Sequence, residues 1–179
     1  MNSDAEERAG LGFDLGVWLT LSPEYLLGFG LTRVDLGELS LDSGVNGVNA
    51  GYAATALALG ARAFPWRRAN AEIFVGLEVG LAWQDVNATG LRQPMNALLP
   101  SQPFSCSGGS GPGLELGAEV GANLRLTRAL WFTGSLDANA YRLSNEVLGE
   151  CVAGLGSVTT VSLGAGLLYA FDLAPGSEP

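Results

Sequence analysis

The sequence predicts an all-β fold in which long antiparallel strands follow one another up and down. The first observation is strict alternation over residues 114–126, where every second residue from Leu114 is apolar and those between are Gly, Glu, Asn or Arg. Because side chains of an extended strand point alternately to opposite sides, one face of this strand is apolar and the other is small or charged. The second observation is that about seven segments share this pattern. The third is that their connections alternate between short and long.

The predicted strands cover most of the chain in order. They span residues 10–21, 25–36, 53–64, 71–84, 114–126, 130–141 and 159–171. Short turns are expected near 22–24, 65–70 and 127–128, and long polar loops at 37–51, 85–112 and 145–157. In the second strand the apolar residues change face at Val34 and Leu36, which predicts a β-bulge or the point where the strand would emerge from a membrane.

The composition excludes several classes of protein. Of the 179 residues 47% are hydrophobic and 15% charged, and the formal net charge of −9 argues against nucleic acid as a partner. No apolar run approaches the roughly 18 residues of a membrane helix, so any membrane crossing would have to use strands.

Alternation alone does not say which face of the sheet is buried. A soluble barrel or sandwich would bury the Leu-rich face, and its exposed face would carry mostly Lys, Glu and Thr. Here the polar face is dominated by Gly and Ala, and the chain has no Lys. Small residues suit the crowded interior of a narrow barrel. The sequence therefore favours an antiparallel up-and-down transmembrane β-barrel with its apolar face turned outwards.

With this pattern over nearly its whole length, the chain resembles the small eight-stranded outer-membrane β-barrel proteins of Gram-negative bacteria. The last strand, from Val161 to Phe171, resembles the signal that the barrel-insertion machinery reads in that family, with Tyr169 and Phe171 as its aromatic residues. The resemblance implies a monomer in the cell outer membrane whose partners are outer-membrane lipid and that machinery. Short turns would then face the periplasm and long loops the outside.

An even strand count is expected of such barrels, whereas the sequence shows about seven strands. One strand and a signal peptide are therefore expected upstream of Met1. The alternatives are that residues 1–9 fold back or that one long loop contains a strand. The expected organisation is an acidic segment at 1–9, a barrel domain at 10–173 and a polar tail at 174–179.

Charged residues on the presumed inner face should pair with one another, because an isolated buried charge is costly. We expect a structural plug more than a transport path, and disfavour an acid–base pair of Glu115 and Glu119. The expected inner charge network comprises Asp14, Arg62, Glu72, Glu78, Glu115, Glu119, Arg125, Asp137 and Arg142.

The absence of His and Lys removes most residues that carry catalysis or hold metals, so no enzyme, cofactor or metal site is expected. Two cysteines, Cys106 and Cys151, fall in long loops. A disulfide between them is expected, with free thiols or a metal pair as poorer alternatives.

The function expected is that of a non-enzymatic outer-membrane barrel with a structural or surface-interaction role. One alternative is a narrow pore or carrier for small solutes, and another is a soluble barrel that binds an apolar ligand. The acidic loops argue against capture of polyanions such as lipopolysaccharide, and no surface ligand follows from the sequence.

Overall fold

A computed structural model describes residues 10–42, 47–92, 102–148 and 151–170. Residues 1–9 and 174–179, predicted as separate segments, and Phe171 of the predicted insertion signal lie outside this part. The described strands are β1 (Gly12–Ser22), β2 (Tyr25–Asp42), β3 (Gly47–Arg68), β4 (Ala71–Arg92), β5 (Gln102–Gly109), β6 (Gly113–Arg125), β7 (Leu130–Arg142), β8 (Val147–Leu148), β9 (Val152–Ala153) and β10 (Ser157–Tyr169). No helix that could cross a membrane occurs among these residues.

The main sheet follows the chain, in the order β1-β2-β3-β4-β6-β7-β10, and every neighbouring pair is antiparallel. The predicted all-β, antiparallel, up-and-down fold is confirmed to this extent. The sheet is not closed in the described part of the chain, because β1 and β10 form its two edges. Since direction reverses at each step along the sheet, these two edge strands run the same way.

Short turns join β1 to β2, β3 to β4 and β6 to β7 at one end of the sheet, which we call the turn end. The opposite end is the loop end. The face that carries Leu114 is the outward face, and the face that carries Glu115 is the inner face.

Three strands run further toward the loop end than predicted. The prediction of polar loops at 37–51 and 85–112 is wrong over most of these ranges. In the structure β2 continues to Asp42, β3 starts at Gly47, and β4 continues to Arg92. The second of these loops also contains β5, which pairs with the last part of β4 and does not lie between β1 and β10. The expected loop at 145–157 contains the small β8–β9 hairpin.

The predicted bulge is confirmed, and it explains the error in strand length. The register of β2 against β3 shifts between Asp35 and Gly37, where Gly37 has a φ of 84°. Beyond the shift, apolar residues such as Leu39 lie on the inner face, since Leu39 pairs with the buried Ala50. A prediction based only on outward apolar residues therefore ends the strand at this point, although the strand continues.

Near the turn end and in the middle of the sheet, the outward face is apolar and exposed. On β4, for example, Leu77 is 68% exposed, whereas Glu115 on the inner face of β6 is 1% exposed. On β2, β3, β6 and β7 the outward face is likewise more exposed than the inner face, whereas the edge strands β1 and β10 are largely exposed on both faces. Most of this sheet therefore exposes its aliphatic side and buries its polar side, the reverse of a soluble β-protein.

At the loop end the polarity of the two faces is reversed. We call this region the loop-end extension; it comprises the parts of β2, β3 and β4 beyond Asp35, Ala53 and Asp85, together with β5 and the β8–β9 hairpin. Outward residues there are polar and exposed, as at Asn49 and Asn87. A small apolar core fills the inner side of the extension, formed by Ala50, Tyr52, Val86, Ala88 and Leu148.

The predicted disulfide is confirmed, with a Cα–Cα distance of 5.6 Å between Cys106 and Cys151. It joins β5 to the turn that precedes β9, and both cysteines pack against the small core. The hydroxyl of Tyr52 donates to the carbonyl oxygen of Ala153 at 3.0 Å. The β8–β9 hairpin is thus fastened over the inner face at the loop end.

Candidate functional site

The inner face of the sheet is built from large side chains that lie beside glycines of neighbouring strands. One row of paired residues runs across the sheet from Trp18 on β1 to Gly117 on β6 through Gly28, Gly60 and Glu78. Glycine leaves room beside a strand for a neighbour's side chain to lie flat on the sheet. This pattern allows bulky and charged groups to pack side by side on the inner face.

Steric contacts account for the glycines. A Cβ added to Gly28 would collide with the indole of Trp18, and one added to Gly60 would stand 2.9 Å from Cη2 of the same ring. A Cβ on Gly76 would collide with the carboxylate of Glu119. The glycines of the polar face therefore have a packing role, because they leave room for side chains of neighbouring strands.

Arg62 on β3 and Glu119 on β6 form the centre of this inner surface. Arg62 Nε donates to Glu119 Oε1 at 2.5 Å, and Arg62 Nη2 donates to Glu119 Oε2 at 2.8 Å. The side chains are only 14% and 5% exposed. Such a two-bond arrangement is the strongest form of ion pair and fixes the orientation of both groups.

Aromatic rings enclose the same guanidinium. The Arg62 Cζ atom lies 3.9 Å from the ring centroid of Trp18 and 4.5 Å from that of Phe74. Attraction between a cation and an aromatic face adds to the ion pair, and is larger where water is excluded. Arg62, Glu119, Trp18 and Phe74 are hereafter the inner cluster.

A second ion pair lies nearer the turn end. Arg67 Nη2 stands 2.8 Å from Oε1 of Glu72, and Asn123 Nδ2 donates to Glu72 Oε2 at 3.3 Å. Arg67 was not among the predicted charged residues, because it falls in the stretch predicted as a connection. The signal was available in the spacing, since Arg67 and Glu72 flank the tight turn at Ala69 and Asn70 and face each other across the hairpin.

Two predicted carboxylates are held by hydroxyl groups. Thr32 Oγ1 donates to Asp14 Oδ2 at 2.9 Å, and Ser135 Oγ donates to Asp137 Oδ2 at 2.8 Å. Glu78 lies in the row with Trp18, beside Gly60 and Gly117. These three acids line the inner face as predicted, but none of them forms an ion pair within the described residues.

Two of the nine predicted residues do not belong to the inner network. Arg142 is paired with Leu114, on the exposed outward face. The predicted inner position of Arg142 is wrong, because even-numbered residues of β7, such as Leu136, lie on the outward face. Arg125 has the inner parity but lies at the turn end, where its side chain donates to the carbonyl oxygens of Thr127 and Arg128.

The inner carboxylates do not form a recognisable catalytic arrangement. Glu115 and Glu119 lie on one strand, four residues and thus about 13 Å apart along it, too far to share a proton directly. Glu119 is already bound to Arg62, and Oε2 of the buried Glu115 has no hydrogen-bond partner. No group of three or more acidic or cysteine side chains suited to a metal ion is found in the described ranges.

We expect the Arg62–Glu119 pair to be essential for the stability of the sheet. Glu119→Gln or Arg62→Met should each lower the free energy of unfolding by about 3–5 kcal/mol, because each leaves a buried charge without its partner. The double variant should recover a large part of that loss. Urea unfolding followed by tryptophan fluorescence measures both effects.

The control is Glu24→Gln, which removes an exposed carboxylate at the turn end and should change stability by less than about 0.5 kcal/mol. If the two single losses simply add in the double variant, Arg62 and Glu119 do not interact energetically, and the inner cluster is not the unit described.

Searches against protein-family models, curated proteins and solved structures each gave no match to the chain.

Proposed function

We propose that this chain is a transmembrane β-barrel protein of a Gram-negative outer membrane, non-enzymatic, with a plugged polar interior and a structural or surface-interaction role. One observation carries the proposal. The aliphatic side chains of the main sheet are exposed on the outward face, while Glu115 and Glu119 are buried on the inner face. A protein with this arrangement needs an apolar surrounding to cover its outward side.

The extent of the exposed apolar surface supports a lipid surrounding. Along β4 the outward residues Ile73, Val75, Leu77, Val79 and Leu81 are 42–68% exposed. Comparable outward residues occur along β1, β2, β6 and β10. Contiguous apolar patches on soluble monomers rarely exceed a few hundred Å². Covering this surface with hydrocarbon would remove its unfavourable contact with water.

The length of the apolar face also fits a bilayer. On β4 it runs from Ile73 to Leu81, close to the roughly 9–11 residues of a tilted membrane strand. Further along the same face come Trp83, an amphipathic residue enriched at membrane interfaces, and then Asp85, which is paired with Arg33. The loop-end extension, apolar within and polar outside, would stand in water beyond the membrane.

Closure into a barrel is part of the proposal. A membrane leaves no water for the free backbone groups of edge strands, so β1 and β10 must both be paired. They run in the same direction, so direct contact would give a parallel pair. One further strand running the opposite way would pair with both in the antiparallel sense, and would make an even-numbered barrel.

The inner cluster favours a plug over a pore. On the inner face Arg62 contacts Glu119, Trp18 and Phe74, and the β8–β9 hairpin packs over that face at the loop end. The interior of an eight-stranded barrel is barely wider than its own side chains. A structural or surface-interaction role is therefore preferred to transport of solutes.

The membrane assignment is tested by placing the same charge at two points on the outward face of β4. Leu77→Arg should destabilise the folded protein in lipid by about 2–4 kcal/mol, because arginine would lie in hydrocarbon. Asn87→Arg, in the loop-end extension, should change stability by less than about 0.5 kcal/mol. Urea titration in lipid vesicles, read from heat-modifiable gel migration, measures both. Equal tolerance of the two substitutions, with a protein that stays soluble without detergent, would instead support a soluble barrel.

Planar-bilayer recording separates the plugged barrel from the narrow pore. The wild-type protein should give no steady current, whereas Trp18→Ala, which removes the ring beside Arg62, should give measurable conductance. Trp66→Ala is the matched control, since Trp66 is an exposed residue near the turn end, and should stay silent. Steady current through the wild-type protein would contradict the plug.

A further inference from the structure

A groove of about 440 Å³ lies on the outward face, at the level where the apolar surface ends. Its lining combines apolar residues at and just before the start of β1 with charged residues of β2 and β4. Among the residues that line it are Leu11, Phe13, Arg33, Asp35, Glu38 and Asp85. The volume is within the range of roughly 300–1,000 Å³ typical of small-molecule sites.

The β2 bulge shapes this groove. Asp35 Oδ1 accepts a hydrogen bond from the backbone N–H of Gly37 at 2.8 Å, and the backbone N–H of Asp35 donates to the carbonyl oxygen of Leu11 at 3.0 Å. The extra residue inserted at the bulge lets Asp35 and Glu38, three positions apart, both lie on the outward face. A regular strand would have placed them on opposite faces.

Arg33 is held in place but keeps unused hydrogen-bond donors. Its Nη1 donates to Thr55 Oγ1 at 2.8 Å and to Asp85 Oδ2 at 3.2 Å, and the Arg33 side chain remains 44% exposed. Within the described residues, its Nε and Nη2 groups have no acceptor. A guanidinium fixed on one side and open on the other is suited to bind a phosphate or carboxylate.

In the described part of the chain, the remaining carboxylates of the groove have no cationic partner. Asp85 is neutralised by Arg33, whereas no described Arg lies within ion-pair distance of Asp35 or Glu38. These acids do not form a metal-binding group. The groove thus offers an anion-binding guanidinium, two carboxylates for an organic cation, and apolar contact with Leu11 and Phe13, which are 89% and 53% exposed.

We propose that this groove binds a membrane-lipid headgroup that carries an ammonium group beside its phosphate, and phosphatidylethanolamine is the probe for this chemistry. Arg33 binds the phosphate, Asp35 and Glu38 bind the ammonium, and the first part of an acyl chain lies against Leu11 and Phe13. The inference rests on the proposed membrane function, because it requires the outward face to meet lipid. A purely anionic lipid would leave both carboxylates unpaired and repelled by its charge.

The test uses the full chain refolded into vesicles of phosphatidylethanolamine and phosphatidylglycerol, then extracted in mild detergent for native mass spectrometry. The wild-type protein should retain phosphatidylethanolamine in preference to phosphatidylglycerol. The double variant Asp35→Asn, Glu38→Gln should lower this preference at least about tenfold, since two charge-assisted hydrogen bonds are lost. Glu24→Gln, a carboxylate change at the turn end, should leave it unchanged.

Equal retention of both lipids by the wild type, or an unaltered preference in the double variant, overturns the inference. So does competition by free phosphoethanolamine as strong as that by the lipid, because the acyl chain would then contribute nothing. Heat-modifiable migration is recorded for every sample. A protein that fails to insert contradicts the proposed function itself, whereas one that inserts without lipid preference contradicts only this site.

Discussion

This sheet exposes its aliphatic side chains and buries its carboxylates, and its stability therefore has two requirements. The first is an apolar surrounding that covers the aliphatic side chains, and the second is a set of partners that neutralise the carboxylates. The Arg62–Glu119 pair, enclosed by Trp18 and Phe74, meets the second requirement at the centre of the inner face. Its geometry depends on glycine, because a Cβ at Gly76 would displace the Glu119 carboxylate. Hydrocarbon would meet the first requirement, and the proposed membrane function follows from it.

The arrangement with aliphatic residues outside and charged residues inside ends where the polarity of the two faces reverses along β3 and β4. Outward residues change from aliphatic to polar between Leu81 and Asp85, and inner residues change from charged to apolar, with Val86 and Ala88 buried in a small core. A single continuous strand is therefore apolar on its outward face in one part and apolar on its inner face in the next. We interpret the part of the sheet nearer the turn end as the membrane segment. The loop-end extension, which the disulfide fastens, would be a water-exposed cap.

Much of this could be predicted from sequence, because outward aliphatic residues at every second position define both strand and face. The prediction failed where that signal stopped: beyond the bulge at Asp35 the apolar residues moved to the inner face, and strand was read as loop. Arg142 was misplaced because its charge suggested an inner position although its parity did not. Partners across the sheet that no short turn connects, such as Arg62 with Glu119, depend on register, which one strand's sequence does not contain.

The central claim is that one face of β4 lies in hydrocarbon up to Leu81 and in water from Asp85 onward. Nitroxide labels placed singly at outward positions 75, 77, 79, 85, 87 and 89 test it most directly, by collision with oxygen and with a water-soluble nickel complex. The account predicts that oxygen dominates at 75, 77 and 79 and nickel at 85, 87 and 89. Uniformly high access to nickel along the whole face would contradict it.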